Sequence, residues 1–277
     1  STHCISSAAS DVYKRQIKEY SVPQSLEEAY KILISKKNNV ILGGCGFIKL
    51  SNKNIGTAID LKDINLNYIK EDKKNILIGA DTSLRSLEID KTIKNYCSGI
   101  LSSAVSNIVG VQFRQGARIG ASVFSKYGFS DLIPALLVVG AKVRLYNKGI
   151  LELSEFLDSE LSRDILVEVI LPKKDAIAVF DSIRKCTGDF SVLNSAMLKE
   201  NDTYKIAIGA RPQKARLALE ASNILNKEKD IDKASIVASK ELTYGSNMRA
   251  SKEYRKDMAS ALVKRMYNAI EEGMYND

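Results

Sequence analysis

Two glycine-rich segments have the residue types and spacing best suited to binding an anionic ligand. The shorter, Gly43-Gly44-Cys45-Gly46, follows the apolar stretch Val40-Ile41-Leu42, which has the composition of a β-strand. The longer runs from Val109 to Pro134, is rich in Gly and Ser, and contains no long apolar run. Backbone N–H groups without side chains in front of them can point at an anion, so a strand leading into a glycine loop suits a phosphate group. We expect a phosphate-bearing cofactor along the longer segment; for the shorter one, a tight turn explains three glycines about as well.

Composition and charge restrict the classes of partner. The chain has 277 residues, 45% of them hydrophobic and 27% charged, with no apolar run long enough to cross a bilayer. Its net charge of +8 could indicate nucleic-acid binding. However, Lys and Arg alternate with Asp and Glu along most of the chain, and no nucleic-acid motif occurs. We expect a solvated lysine-rich surface, no nucleic acid and no membrane partner; an acidic protein partner is the alternative.

The cysteines and the single histidine exclude several kinds of site. Cys4, Cys45, Cys97 and Cys186 are scattered and form no CxxC pair, so neither a disulfide framework nor a cysteine-held iron-sulfur cluster is indicated. Reduced thiols in a cytoplasmic enzyme are the expected state. His3 is the only histidine, so the body of the chain has no Ser-His or Cys-His pair and no histidine metal site.

The first sixteen residues look foreign to the rest. Asp11 to Gln16 reads DVYKRQ, which resembles the translation of a transposon-adaptor end used in preparing sequencing libraries. We predict that residues 1–16 are an artefactual or disordered tail; a genuine floppy N-terminal tail is the alternative.

Helical and strand patterns alternate after the tail. Ser25-Leu26-Glu27-Glu28 is a capping-box sequence that predicts a helix over about 25–37, with the Ser25 hydroxyl and the Glu28 side chain each reaching a first-turn or capping N–H. Further strands are predicted at 57–61, 76–80, 142–146, 150–153 and 165–171, and helices at 99–108 and 131–138. Around 172–176 a polar joint begins a second region, with strands at 178–184, 191–198 and 205–209 and helices at 213–226, 231–241 and 250–272. This order indicates an α/β or α+β protein.

With these residues described, the chain resembles the FAD-binding medium subunit of the molybdenum hydroxylases, the xanthine dehydrogenase family. Leu42 to Gly46 corresponds to that family's AGGTD-like loop after a strand. Gln112 to Ser122 matches QIRNxATIGGN, and Asp131 to Pro134 matches the D-L-x-P that follows it. Arg249 to Arg255 resembles the R-x-S-x-x-Y-R at the start of the terminal helix. Three motifs in the right order are considerably more specific than one glycine motif.

The resemblance implies an α+β fold with two domains. Residues 17–173 would form a two-subdomain FAD-binding domain of the PCMH type, which is vanillyl-alcohol-oxidase-like. Residues 176–275 would form a smaller domain like the C-terminal domain of CO dehydrogenase flavoproteins, with a three-stranded antiparallel sheet and helices.

The resemblance also assigns the cofactor contacts, with the FAD bound non-covalently. Gly43 to Phe47 and a turn at Gly120 to Ser122 would give N–H groups to the pyrophosphate, Ser125 would bond a phosphate oxygen, Asp131 a flavin hydroxyl, and Ile108 to Gly110 would line the cofactor. The complete set of implied cofactor-binding residues is Val40, Ile41, Leu42, Gly43, Gly44, Cys45, Gly46, Phe47, Ile108, Val109, Gly110, Phe113, Ala117, Gly120, Ala121, Ser122, Phe124, Ser125, Ser130 and Asp131.

The sequence departs from the family pattern at three of these positions. Ala121 replaces the second motif glycine, Ser122 the asparagine, and Cys45 the threonine of the first loop. Alanine is acceptable at 121 if its φ is negative. Serine keeps a hydrogen-bonding group, whereas a thiol is only a weak one. These changes leave FAD as the expected cofactor and bear on how tightly it is held.

The implied activity is electron relay, for which we name no acid, base or nucleophile. A molybdopterin-binding subunit would hydroxylate a purine or another heterocycle, an iron-sulfur subunit would carry the electrons, and FAD on this subunit would reduce NAD or another acceptor. Molybdopterin and iron-sulfur clusters would therefore be found only on partner subunits. The alternatives are a stand-alone FAD-dependent oxidoreductase of the same fold and a flavin-free scaffold subunit.

Overall fold

The computed structural model describes residues 17–48, 54–160 and 163–273. The tail predicted at residues 1–16 lies outside the described residues. Within them, no helix is both long enough and apolar enough to cross a membrane.

The first sheet is parallel and small. Its strands are β1 (Ile17–Ser21), β2 (Val40–Ile41) and β3 (Ile55–Ile59), in the spatial order β1-β3-β2. Helix α1 (Leu26–Ser35) connects β1 to β2. The predicted N-cap is confirmed, since the Ser25 hydroxyl accepts from the N–H of Glu28 at 3.2 Å. The Glu28 carboxylate reaches back one residue further than a capping box requires and accepts from the N–H of Gln24 at 2.9 Å.

The second sheet is antiparallel and has the order β4-β5-β8-β6-β7. Its strands are β4 (Ile69–Glu71), β5 (Asn75–Gly79), β6 (Lys142–Leu145), β7 (Gly149–Glu152) and β8 (Leu166–Pro172). The helices of this region are α2 (Leu84–Ile89), α3 (Lys91–Asn95), α4 (Ile100–Ser106), α5 (Val111–Gly116), α6 (Ile119–Phe124), α7 (Leu132–Val138) and α8 (Leu153–Asp158). Every residue of α7 is buried, which places this helix at the centre of the molecule.

The glycine-rich segment is more regular than the sequence indicates. The predicted turn at Gly120 to Ser122 is wrong, because these residues lie in α6. Small residues let this helix lie close to the residue that follows β5: a Cβ atom on Gly120 would lie 2.6 Å from the Cβ atom of Ala80. Helix α6 is only six residues long, too short for its apolar spacing to be recognised in the sequence.

The second region is one antiparallel sheet covered by helices. Its strands are β9 (Ile177–Ile183), β10 (Leu193–Glu200), β11 (Thr203–Gly209) and β12 (Arg216–Leu217), in the order β12-β11-β10-β9. Its helices are α9 (Leu219–Glu228), α10 (Ile231–Glu241) and α11 (Lys252–Glu271). The prediction of three strands is corrected to four in the described residues. Leu217 pairs with Ala207, so the helix predicted from residue 213 begins only at Leu219.

The sheet of the second region separates two hydrophobic cores. Side chains alternate between the faces of a strand, and in β10 Met197 packs among the C-terminal helices whereas Ala196 and Leu198 join the core of the first region. The larger core therefore continues from α7 onto β10 and β11. This shared core holds the second region against the glycine-rich segment.

Candidate cofactor-binding site

The structure brings the two glycine-rich segments into direct contact. A Cβ atom on Gly43 would overlap the Cβ atom of Ala121, and one on Gly44 would overlap the carbonyl oxygen of Gly116. A Cβ atom on Gly46 would lie 2.9 Å from Cε2 of Phe113. The glycines of the first loop are therefore required for packing against the second segment.

The first loop has backbone donors that the described protein does not use. Leu42, which follows β2, donates its N–H to the carbonyl of Ile59 at 2.8 Å. Among the described residues, none of the N–H groups from Gly43 to Phe47 donates to another protein group. Gly44 and Cys45 both have left-handed backbone conformations, with φ of 86° and 59°. Consecutive unused N–H groups in such a loop form an anion-binding concavity.

The second segment has fewer available donors than the sequence predicts. The N–H of Gly120 donates to the Ala80 carbonyl at 2.9 Å, and that of Ser122 to the Arg118 carbonyl at 3.0 Å. Within the described ranges, the Ala121 N–H has no protein acceptor. Ala121 is not among the residues with positive φ, so its side chain causes no backbone strain. Of the three N–H groups predicted to bind the pyrophosphate in this segment, only that of Ala121 is therefore free to do so in the described part of the chain.

The two serines near this helix already donate their hydroxyl protons. Ser122 Oγ donates to the Arg118 carbonyl at 2.9 Å, and Ser125 Oγ to the Ala121 carbonyl at 2.7 Å. A hydroxyl has a single proton to donate. Ser125 must therefore rotate away from Ala121 before it can donate to a phosphate oxygen.

The segment from Ile108 to Gly110 is strained and partly exposed. Val109 has a φ of 52°, a region that β-branched residues rarely adopt, and is 55% exposed. The buried Arg114 donates from Nη1 to the Ile108 carbonyl at 3.1 Å. From the other side, Gly188 approaches so closely that a Cβ atom there would lie 2.9 Å from the Val109 carbonyl oxygen.

Asp131 is placed in a buried polar cluster between the two regions. Its Oδ2 lies 2.5 Å from Nη2 of Arg184, and its Oδ1 accepts from Ser191 Oγ at 2.5 Å and from Asn194 Nδ2 at 2.7 Å. All three donors lie in the second region, and both carboxylate oxygens have partners. Sequence reasoning missed these three residues. The one sequence signal for such donors was Asp131 itself, since a carboxylate at the start of a buried helix needs hydrogen-bond donors around it.

Four aromatic rings connect the first loop to the second region. Phe129 lies 5.3 Å from Phe47, 4.9 Å from Tyr127 and 4.6 Å from Phe190, measured between ring centroids. The guanidinium of Arg249 lies over the ring of Phe190, 5.1 Å from its centroid. Phe47 was predicted to contact the cofactor; the other three rings were not. This aromatic cluster (Phe47, Tyr127, Phe129, Phe190) borders the loop with the free N–H groups.

The remaining predicted site residues have packing or backbone roles in the structure. Val40 and Ile41 form β2, and Phe124 packs on Phe156 with centroids 5.8 Å apart. The Ala117 carbonyl accepts from the Leu84 N–H at 2.9 Å, and the Ser130 carbonyl accepts from Asn194 Nδ2 at 3.1 Å.

Lys126, which directly follows Ser125, is bound elsewhere. Its Nζ donates to the Phe156 carbonyl and, at 2.8 Å, to the Ser159 carbonyl at the end of α8. Burial lowers the pKa of this ammonium to about 8, with a further contribution from the nearby positive charges of Lys214 and Lys148. Lys126 therefore adds no donor to this site.

The donor set fits a dinucleotide cofactor and does not fit a metal ion. A pyrophosphate needs several fixed donors when it is removed from water, and the free N–H groups of residues 43–47 and Ala121 provide them. No group of three or more His, Cys, Asp or Glu side chains that could hold a metal occurs in the described part of the chain.

Comparison with known proteins identifies the two regions separately. Residues 14–174 match the family described as FAD binding domain in molybdopterin dehydrogenase, and this match covers more than half of the chain. Residues 178–270 match the CO dehydrogenase flavoprotein C-terminal domain.

Individual relatives are distant in sequence and similar in fold. The chain is 20% identical over 268 residues to the nicotine 6-hydroxylase medium subunit of Paenarthrobacter nicotinovorans, covering 89% of this chain and 94% of that protein. A solved chain of quinoline 2-oxidoreductase from Pseudomonas putida 86 has a TM-score of 0.84 at 20% identity, covering 94% of this chain and 99% of that one. A chain of the Hydrogenophaga pseudoflava carbon monoxide dehydrogenase that lacks the Mo-pyranopterin moiety has a TM-score of 0.85 at 22% identity, covering 92% and 97%.

These matches confirm the predicted α+β fold, with a PCMH-type FAD domain followed by a domain of antiparallel sheet and helices. They also confirm the class of protein that the three sequence motifs indicated. The chain belongs to the FAD-binding medium subunits of the molybdenum hydroxylase family, whose members are parts of oxidoreductases.

Proposed function

We propose that this chain is the FAD-carrying electron-transfer subunit of a xanthine dehydrogenase-like molybdenum hydroxylase. It receives electrons from an iron-sulfur subunit and passes them through FAD to NAD or another acceptor. The observation that carries the proposal is the loop of unused N–H groups from Gly43 to Phe47, in contact with α6. Such a loop is suited to a pyrophosphate.

The residues divide the binding of FAD between them. The N–H groups of residues 43–47 and of Ala121 bind the pyrophosphate, and Ile108 to Gly110 line the flavin. Asp131 accepts from a flavin hydroxyl through lone pairs that its three protein donors leave free. FAD, when bound, accepts and releases the electron pair. The protein contributes binding and orientation.

The other redox centres belong to partners in this proposal. The sequence has no cysteine motif for a cluster, so the iron-sulfur and molybdopterin groups lie on two further subunits. A nitrogen heterocycle is the proposed substrate class of the complex, because two relatives are named for nicotine and quinoline. A cytoplasmic location is proposed because Cys45, Cys97 and Cys186 are free thiols.

Co-expression with the genes that neighbour this one tests the assembly. The proposal predicts that this chain purifies with an iron-sulfur and a molybdopterin subunit, and that adding the heterocycle without air bleaches the flavin absorbance. A chain that purifies alone and oxidises a substrate unaided would instead identify a stand-alone oxidoreductase.

The acceptor is tested on the FAD-loaded chain by itself. NADH should bleach the flavin band under anaerobic conditions if NAD is the physiological acceptor, because hydride transfer is reversible. Failure of NADH to reduce a flavin that dithionite reduces would exclude NAD and leave another acceptor.

A further inference from the structure

Arg114 uses all three of its guanidinium nitrogens beside the proposed flavin-lining segment. It lies in α5, is 5% exposed, and donates from Nε and Nη2 to the two carboxylate oxygens of Glu88 at 2.7 and 2.9 Å. Its remaining nitrogen, Nη1, donates to the Ile108 carbonyl at 3.1 Å. This planar, two-point contact fixes the orientation of the guanidinium. No other cationic side chain can make the same contact.

Glu88, which accepts the hydrogen bonds of Arg114, is itself held by other residues. Glu88 lies in α2, where Arg85 also contacts its carboxylate at 2.9 Å, and the two guanidinium groups keep the pKa of Glu88 below its usual value against the opposing effect of burial. The Glu88 carbonyl accepts from Ser102 Oγ of α4 at 2.6 Å. Helices α2 and α4 are thus joined by a hydrogen bond at Glu88, the residue that orients Arg114 toward Ile108.

The peptide that follows Ile108 is the strained one. Val109 has a φ of 52°, a conformation that costs a β-branched residue energy and that persists only where neighbouring groups enforce it. The N–H groups of Val109 and Gly110 donate to no acceptor in the described chain, so they are available to a ligand. A relaxed Val109 would turn these two N–H groups in other directions.

We infer that Arg114 is a positioning residue for FAD: through the Ile108 carbonyl it holds Val109 in its left-handed conformation and so aims the N–H groups of Val109 and Gly110 at the flavin. This inference rests on the proposed function, because it requires that FAD lies along Ile108 to Gly110. It assigns to Arg114 a role in flavin affinity and potential beyond the stability of α5.

The test compares four full-length proteins: wild type, Arg114→Lys, Arg114→Lys/Val109→Gly, and the control Arg144→Lys. Lysine keeps the charge and loses the two-point contact. Arg144 also pairs with a buried glutamate, Glu168, at 2.8 Å, but it does so on β6 of the second sheet. Glycine at 109 adopts a positive φ without strain and so removes the need for the holding contact.

Three readouts separate positioning from stability: the FAD dissociation constant, the visible circular dichroism of bound flavin, and the flavin reduction potential. Arg114→Lys should raise the dissociation constant about tenfold, as for the loss of a hydrogen bond to a charged group. It should also alter the flavin dichroism and potential, whereas Arg144→Lys changes none of the three. Adding Val109→Gly should recover most of the lost affinity.

The outcomes distinguish this inference from the proposed function. Wild-type protein that binds no FAD would overturn the proposed function, on which the inference depends. Wild-type protein that binds FAD, together with Arg114→Lys that matches it in all three readouts, would overturn the positioning role alone. Equal losses with and without Val109→Gly would likewise contradict it. Should Arg114→Lys fail to fold, Glu88→Gln, which removes the charge but keeps an acceptor, takes its place with the same expectations.

Discussion

Gly43 and Ala121 lie so close together that the methyl group of Ala121 occupies the space a side chain at Gly43 would need. The family pattern has glycine at both positions, and this chain has it at only one. The structure accounts for the change, because Ala121 lies in a helix with negative φ and fills a gap between the two glycine-rich segments. The Ala121 methyl group is therefore part of the contact between the segments.

This contact predicts that the protein can accept a methyl group at residue 43 or at residue 121, but not at both. Gly43→Ala should lower the free energy of unfolding by about 1–3 kcal/mol, as for an overpacked core, and should weaken FAD binding. The double substitution Gly43→Ala/Ala121→Gly should recover most of that stability, less about 1 kcal/mol for glycine in a helix. Urea unfolding of the three proteins measures this. A double substitution less stable than Gly43→Ala would refute the contact.

Replacing Gly44 by alanine should destabilise the protein more than the same change at a glycine that has a similar backbone conformation but an open position. Gly44 and Gly149 have φ of 86° and 74°, but a side chain at Gly149 would meet nothing within 4 Å, whereas one at Gly44 would overlap Gly116. Gly149→Ala should cost about 1–2 kcal/mol from backbone strain alone. Gly44→Ala should cost clearly more and also reduce flavin occupancy. Equal melting temperatures for the two variants would contradict the packing described for the first loop.

Replacing Asp131 should lower the stability of the protein independently of cofactor binding. Its side chain and that of Arg184 are only 6% and 10% exposed, so removing one charge leaves the other buried without a partner. Asp131→Asn should lower the free energy of unfolding by about 3–5 kcal/mol even without FAD. The exposed pair Asp158 and Arg216 supplies the control, and Asp158→Asn should have far less effect. A loss of FAD affinity at unchanged stability would instead mean that Asp131 acts on the flavin alone.

The free thiols should differ strongly in reactivity. Burial raises the pKa of Cys97 to about 11, so at pH 8 only about one molecule in a thousand carries the reactive thiolate. Cys186 is exposed. Iodoacetamide at pH 8, followed by peptide mass mapping, should label Cys186 long before Cys97. The labelling rate of Cys97 should rise about tenfold with each pH unit above 8 and level off near pH 11. Comparable rates in native protein would show that Cys97 is not buried, and equal labelling in denaturant confirms that both peptides are detected.

Local signals in the sequence predicted much of the fold. The Ser25 cap, the strand before Gly43 and the terminal helix depend on residues near one another in the chain, and each was found where expected. Helices α5 and α6 were not predicted, because six small or mixed residues show no apolar periodicity. Strand β12 was missed for a similar reason: two residues become a strand only through their pairing with β11.

The site was predictable as a set of segments but not as a set of contacts. Motif order placed the two glycine-rich segments in one site, and the structure brings them together. The partners of Asp131 are 53 to 63 residues away in the sequence, and nothing local identifies them. Which N–H groups are free also depends on distant carbonyls, such as that of Ala80, which takes the N–H of Gly120. Long-range hydrogen bonds are the information that a single sequence lacks.

We expect this chain to bind FAD non-covalently along its two contacting glycine-rich segments. The most direct test is the visible absorbance spectrum of the purified chain, before and after incubation with FAD and removal of the excess. We expect flavin bands and about one FAD released per chain on denaturation, since the free N–H groups form one pyrophosphate site. A colourless protein that takes up no added FAD would contradict it.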